Sequence, residues 1–485
     1  MLNDTASMPR NAPVTDSVIH SAKRNVRFVL VSQVLVLVLG ILKTLLIPIV
    51  LGVGDFAYWQ IYVFYITYVG LFTLGFNDGI YLRYGGTEYA ALATPRMRAS
   101  IRLYLFYLLG VTILMLFVCT FDADSNKRTV LYLACLNIVL MGMMAVFSFV
   151  LQATGRLRQF GIVNAIDKVL FLIFLLGLFL FGAKSFIWFV AAELVAKLVT
   201  LWWMGASCPE LIKGKVDDWQ GVLAEVRENV SCGMKLMFAN LSGMLVLGIG
   251  RVVIEYWGTL ENYAFYAFGV SMTNLALVAL TSVSIVLYPM LKRLPEDRYL
   301  HYYDHANGKL FLFSIIMLGG YFPVVWLILH AIPKYSPVIP YLNLLFVVTV
   351  LQGKMQLLNN NYYKAMRFEG KMLRANLESL AVAALLSGTL YALHRSVMSI
   401  AIATLLTMIY RVYMSEWFLR RAMGGPGHGN ILIEVLAFAL FISMTSVFDY
   451  RIAFVMFFLS FIVYAGYARH DFQALVRVII RSKNP

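Results

Sequence analysis

Apolar stretches of helix length recur along the chain, each closed by a short polar or charged break. They fall at 26–51, 56–75, 101–121, 129–151, 168–183, 186–206, 234–257, 263–287, 309–330, 338–361, 377–393, 396–418, 431–448 and 451–468. A helix needs about 20 mostly apolar residues to cross the hydrocarbon core of a bilayer, and most of these stretches reach that length. The pattern predicts an all-α, polytopic membrane protein with about 14 transmembrane helices. Several breaks are tight, as at 182–185 and 448–451, so consecutive spans are expected to pack antiparallel.

The same pattern divides the chain. A cytosolic N-terminal tail (1–25) precedes a six-span lobe (26–206), a cytosolic linker (207–233) and a second six-span lobe (234–418). A cytosolic glycine-rich joint (419–430), two further spans (431–468) and a cytosolic basic tail (469–485) follow. In the linker, Val216, Trp219, Val222, Leu223 and Val226 make a helical stripe. Either an interfacial amphipathic helix or a helix packed on the underside of the bundle fits it. Landmarks in the two lobes match at a nearly constant offset of about 210 positions: Lys43 with Arg251, Gly52 with Gly258, Tyr81 with Tyr288, Arg156 with Arg367, and Lys197 with Arg411. The order of features agrees as well, which predicts two pseudosymmetric lobes.

Composition agrees with a bilayer: 61% of residues are hydrophobic and 13% charged, too little polar surface for a water-soluble chain. A net charge of +15 would point to nucleic acid in a soluble protein. Here the cations instead crowd into alternate breaks. The opposite breaks hold only Lys127, Arg128, Lys184, Lys334, Arg395 and Arg451, which predicts both termini in the cytosol and no nucleic-acid partner. Cys119, Cys135, Cys208 and Cys232 form no C-x-x-C pair and stand near no histidine cluster, so free thiols and no metal site are expected. No phosphate-binding loop or nucleophile elbow is present, and no cofactor or catalytic residue is expected.

Five cations lie inside apolar spans: Lys43, Lys197, Arg251, Lys354 and Arg411. A cation at bilayer depth costs several kcal/mol unless it faces water or a partner, so each needs an explanation. Glu193 and Glu255 stand one turn from Lys197 and Arg251, either as neutralising partners along one helix face or as ion-coupling groups. The equivalence of Lys43 with Arg251 and of Lys197 with Arg411 predicts a shared cationic cleft between the lobes, suited to a phosphate or pyrophosphate. Other features read as structural. Asn77 and Asp78 suit a solvated turn; Asn359, Asn360 and Asn361 suit capping or sugar hydroxyls; Trp59, Tyr62, Tyr65, Trp257, Tyr263 and Tyr266 suit an interfacial belt.

The segments LGVGDFAYW, LGFNDGIYLRYGG, LQATGRLRQF and GRVVIEYWGTLENYAFYAF, together with the two-lobe layout, resemble the polysaccharide-transporter branch of the multidrug/oligosaccharidyl-lipid/polysaccharide exporter superfamily, the Wzx-type flippases. The resemblance implies alternating access that carries an undecaprenyl-pyrophosphate-linked oligosaccharide from the inner to the outer leaflet of the bacterial cytoplasmic membrane. It also implies basic cavity residues that engage the anionic headgroup, membrane lipid around the tail, and polysaccharide polymerase and chain-length proteins as candidate partners. Gly250 stands where relatives often carry the acid of an Asp-Arg pair. The last two spans exceed the usual twelve and, by analogy with lipid II flippases, supply a groove for the polyprenyl tail. Two competing readings are a cation-coupled drug exporter of the same superfamily and a membrane-embedded polymerase or ligase. The latter is disfavoured by the absence of a long outer loop.

Overall fold

The computed structural model describes residues 35–467 except 93, 217–218, 292–294 and 428–430. The expected N-terminal tail, the start of the first span, part of the glycine-rich joint and the basic C-terminal tail lie outside the described residues. Among the described residues the regular structure is entirely helical. A helix satisfies its own backbone groups, which an open strand in hydrocarbon does not.

The helices are α1 (Leu35–Val50), α2 (Val53–Thr67), α3 (Phe76–Tyr84), α4 (Pro95–Cys119), α5 (Ser125–Ala153), α6 (Leu157–Leu180), α7 (Phe186–Ser207) and α8 (Trp219–Trp257). They continue with α9 (Leu260–Leu291), α10 (Tyr299–Gly319), α11 (Tyr321–Ala331), α12 (Ile339–Lys354), α13 (Glu369–His394), α14 (Val397–Ala422), α15 (Ile431–Val447) and α16 (Tyr450–Tyr467). Helix underlies the described part of each expected span. Among the described residues nine helices are long and apolar enough to cross a membrane, ten if one bent pair counts as a single span, and three shorter apolar helices accompany them. The chain is a multi-pass membrane protein.

Helices α2 and α4 to α7 pack mainly on one another, as do α8, α9 and α12 to α14, giving a first and a second bundle; α3 packs on α5 of the first and most extensively on α8 of the second. Helix α15 leans on α12, and α16 on α10 and α11. The bundles meet where α3 and α4 touch α8 and where α2 touches α9. We call the end of the molecule carrying α3 and the start of α8 the lower end, and the end carrying Trp257 the upper end.

Two elements differ from the sequence expectation. The linker helix and the seventh span are one continuous helix, α8, of 39 residues. At 1.5 Å per residue it is about 60 Å long, twice the hydrocarbon thickness, so it extends well past the core. No proline interrupts it, and Val222, Glu225 and Asn229 are buried on the side where α3 packs. Of the apolar stripe, Val222 is buried while Val216 and Leu223 are exposed. The second span, expected as one helix, breaks after α2: a 3₁₀ turn over Val69–Thr73 leads to α3, bent by 60°. Leu74 and Gly75 take left-handed backbone with φ of 49° and 76°. The bend lays α3 against α8 so closely that a Cβ on Gly79 would lie 2.0 Å from the Asn229 carbonyl oxygen, and one on Gly233 would lie 2.0 Å from that of Gly75. Asn77 is consequently not in a solvated turn. It is buried and donates from Nδ2 to the Tyr104 hydroxyl (3.3 Å) and the Gly142 carbonyl (3.4 Å).

Candidate functional site

A cavity of about 330 Å³ lies between the bundles. The first bundle contributes Phe64, Thr67 and Tyr68 from α2 and the residue after it, and the second contributes Leu247, Gly248 and Arg251 of α8, Asn274 of α9 and Gln352 of α12. Helix α8 presents these side chains because positions 244, 247, 248 and 251 recur at i, i+3, i+4 and i+7 on one face. Arg251 is half-buried, with its guanidinium carbon 5.9 Å from the centre of the Phe64 ring. Among the described residues it has no hydrogen-bond or ion-pair partner. Gly250 beside it faces the inside of the second bundle. A Cβ there would lie 2.7 Å from Ile400 and 3.0 Å from the Tyr266 hydroxyl, so no acidic side chain fits at that position.

The alternative in which Glu255 neutralises Arg251 along one helix face is not realised. Glu255 Oε1 instead accepts from the Tyr65 hydroxyl and pairs with Lys127 Nζ, each at 2.8 Å, and both partners belong to the first bundle. Glu255 thus clasps the bundles together at the upper end. Gln60 Nε2 reaches Ser271 Oγ (3.2 Å), and Lys334 Nζ donates to the carbonyls of Ile49 (3.2 Å) and Leu51 (2.7 Å). At the lower end, Arg83 of α3 donates to Glu225 (2.7 Å), Glu228 (2.5 Å) and Asn229 (2.6 Å) of α8. The cavity therefore lies between an upper and a lower clasp.

The other four cations do not join Arg251 on one wall, which corrects the expectation of a chamber lined by all five. Arg411 comes nearest. Fully buried, it stands behind the wall, donating to Asn376 Oδ1 (2.8 and 3.1 Å), the Gly243 carbonyl (3.2 Å) and Oε1 of the cavity residue Gln352 (3.3 Å). Lys43 and Lys197 lie inside the first bundle, each 3.3 Å from Glu193 Oε1, and Lys197 also donates to Asn137 Oδ1 at 2.7 Å. Lys354 lies inside the second bundle between Glu416 and Glu434, 2.7 Å from each. The reason is electrostatic: a lysine within a bundle gains more from a carboxylate on its own or the next helix than from a distant shared chamber.

Sequence reasoning weighed only Glu193 and Glu255 as intramembrane acids and missed Glu416 and Glu434. A signal was present: Lys354 deep in an apolar span requires a counter-charge, and Glu434 interrupts the apolar run ILIEVLAF. Of the supposed aromatic belt, Trp59, Tyr62, Tyr263 and Tyr266 are core residues; only Trp257 is largely exposed. Asn359 also serves packing, since it accepts from the Tyr303 hydroxyl (2.7 Å) and donates to the Val412 carbonyl (3.2 Å).

No protein-family model matches the sequence, and no curated protein is significantly similar to it in sequence. Solved structures do match. A lipid II flippase MurJ in an inward closed conformation has a TM-score of 0.70 at 12% identity, over 92% of this chain and 99% of that one. An outward-facing multidrug resistance MATE transporter of the MOP superfamily has 0.60 at 12% identity, over 83% and 96%. A MOP superfamily transporter from Pyrococcus furiosus, described as having a binding pocket of reverse polarity, has 0.52 at 11% identity, over 83% and 96%. At such identities the likeness is one of fold: the chain has the fold of MOP superfamily transporters.

Proposed function

We propose that the protein is a Wzx-type flippase. It carries an undecaprenyl-pyrophosphate-linked oligosaccharide, a unit of O-antigen, capsule or exopolysaccharide, from the inner to the outer leaflet of the bacterial cytoplasmic membrane. In this reading both termini and the lower end face the cytosol. The observation that carries it is Arg251, a cation without an ion-pair partner among the described residues, on the wall of a cavity between two bundles. The cost of holding it there is offset when an anion enters, and a guanidinium fork matches the oxygens of a phosphate.

Arg411, linked to the cavity through Gln352, adds a second positive charge behind the wall. Lys43, Lys197 and Lys354 then hold their bundles together and do not touch the headgroup. The apolar groove lined by Phe311, Ile315, Leu440, Met444 and Phe457, between α10, α15 and α16, receives the polyprenyl tail. Release of the lower clasp opens the cavity to the cytosol; its closure and release of the upper clasp open it outward. Polymerase and chain-length proteins consume the product. The fold shared with a MATE transporter and the mainly apolar cavity lining favour, as the second reading, a cation-coupled exporter of small molecules.

Proteoliposomes containing a polyprenyl-pyrophosphate-linked oligosaccharide decide between the two, with transfer read by a membrane-impermeant sugar-modifying reagent. The expected result is transfer by the wild type, loss of most activity in Arg251→Ala and partial retention in Arg251→Lys, which keeps charge without the fork. Wild-type transfer by Arg251→Ala, or export of cationic drugs without lipid transfer, overturns the proposal.

A further inference from the structure

The charge cluster around Lys354 has one carboxylate too many. Lys354 ends α12 where the chain widens into a π-helical turn over Met355–Asn359, a distortion frequent at functional sites. Its Nζ donates to Glu434 Oε2 at 2.7 Å and Oε1 at 2.9 Å, and lies 2.7 Å from Glu416 Oε2. Tyr413 donates to Glu434 Oε2 (3.1 Å) and Asn307 Nδ2 to Glu434 Oε1 (3.2 Å). The other charged groups facing the cluster are Arg420 on α14 and Asp304 on α10, which form an ion pair with each other. Tyr303, also on α10, donates to Asn359. Two cations thus face three carboxylates, and the surplus negative charge is sealed in: Glu416 is 0% exposed, Glu434 3% and Lys354 6%.

A second observation points to what completes the site. Glu416 Oε1 and Asn307 Oδ1 are buried acceptors without a hydrogen-bond partner among the described residues, and Asn307, 5% exposed, reaches into the cluster through its Nδ2. A bare carboxylate oxygen in such surroundings is costly, whereas a carboxylic acid there is neutral and supplies a donor to a neighbourhood rich in acceptors. A metal ion fits poorly, because the ammonium already occupies the space between the carboxylates. Only three oxygens, both of Glu416 and Oδ1 of Asn307, lack a hydrogen-bond partner there among the described residues, against the roughly six that a hard cation collects.

We propose that Lys354, Glu416 and Glu434 form a proton-binding site in which Glu416 is protonated at neutral pH. On release the proton passes to water and the cluster gains one negative charge. Glu434 belongs to α15 and its partners to α10, α12 and α14, so this change acts on the seam between α15 and the second bundle. The site goes beyond the flippase reading and does not depend on any substrate.

Infrared difference spectra of the purified full-length protein, titrated from acid to alkaline pH, test it without transport. The wild type is expected to show the carbonyl stretch of a buried carboxylic acid at neutral pH, bleaching only on alkalinisation. Glu416→Gln, isosteric with the acid, removes the band. Glu434→Gln removes it as well at neutral pH, because the remaining carboxylate then balances Lys354. Glu378→Gln, on the far, partly exposed side of α13, leaves it in place. Absence of the acid band in the wild type, or its persistence in Glu416→Gln, overturns the proposal. A protein that shows the band yet moves no lipid-linked sugar would reject the flippase reading and leave this one standing.

Discussion

The two bundles hide charge by opposite arithmetic. In the first, two ammoniums, Lys43 and Lys197, share the single carboxylate of Glu193. In the second, the single ammonium of Lys354 is shared by two carboxylates. Each surplus is spread over neutral groups. The positive one rests on the ring faces of Trp59 and Phe171, 5.0 and 4.5 Å from Lys43 Nζ, and on Asn137, which in turn donates to Tyr62. The negative one takes hydrogen bonds from Tyr413 and Asn307. Aromatic faces stabilise a cation and polar donors stabilise an anion, so the residues around each cluster agree with the sign of its surplus. The lesson is that an intramembrane charge is to be read with its whole shell, not by its own sign.

The largest expected effect comes from removing the minority charge. Glu193→Gln leaves two ammoniums facing each other in a buried site and is expected to destabilise the protein by about 3 kcal/mol, as breaking buried pairs generally does. Glu416→Gln replaces a neutral acid by a neutral isostere and is expected to change stability by less than about 1 kcal/mol. Thermal unfolding of the purified protein in detergent compares them. Equal losses in both variants would show that neither cluster carries a surplus.

Next in size is the crossing of α3 with α8 at the lower end. Gly79→Ala places a methyl group 2.0 Å from the Asn229 carbonyl oxygen, too close to be absorbed without moving α3. Overpacking of this kind costs about 1–3 kcal/mol. Here it is expected to part the lower clasp around Arg83 and to raise the reactivity of a cysteine probe placed at Tyr68 toward reagents added from the cytosolic side. Unchanged reactivity would mean that the crossing is not the barrier. The upper clasp is expected to be weaker, since it rests on side-chain hydrogen bonds and one ion pair. A double-mutant cycle between Lys127 and Glu255 is expected to give a coupling of about 1 kcal/mol and to favour the outward-open state when either charge is removed.

How much of this was legible in the sequence follows from the range of the interactions involved. The apolar runs were, because bilayer crossing is dictated locally by length and composition. The break in the second span and the fusion of the linker with α8 were not, because Gly75, Gly79 and Gly233 take their meaning only from the helix opposite. The five intramembrane cations were found by their depth alone. Their grouping was not, because the landmark offset relates positions in two bundles and carries no information on which neighbouring helix supplies the counter-charge. Arg251, expected in a cleft between the lobes, lines the cavity between the bundles. The alternative of Glu255 as its in-helix partner is not realised, because a partner four residues along a helix competes with Lys127 and Tyr65 arriving from the other bundle, at 2.8 Å each.

The smallest expected effect sharpens the comparison most. Lys43→Gln removes the surplus ammonium of the first bundle and leaves Glu193 balanced by Lys197 alone. The lost cation–ring contacts are worth about 0.5–1 kcal/mol. The desolvation cost recovered is of similar size, since the Lys43 side chain keeps 29% of its surface exposed. Stability is therefore expected to stay within about 0.5 kcal/mol of the wild type. Lipid transfer is expected to stay near the wild-type rate too, because Lys43 does not line the cavity that holds Arg251. If transfer instead collapses while the melting curve is unmoved, the partly exposed ammonium is itself a station for the anionic headgroup. The surplus in the first bundle would then be a binding site in the same sense that the surplus in the second is proposed to be one, with the anion and the proton taken up by clusters of opposite sign.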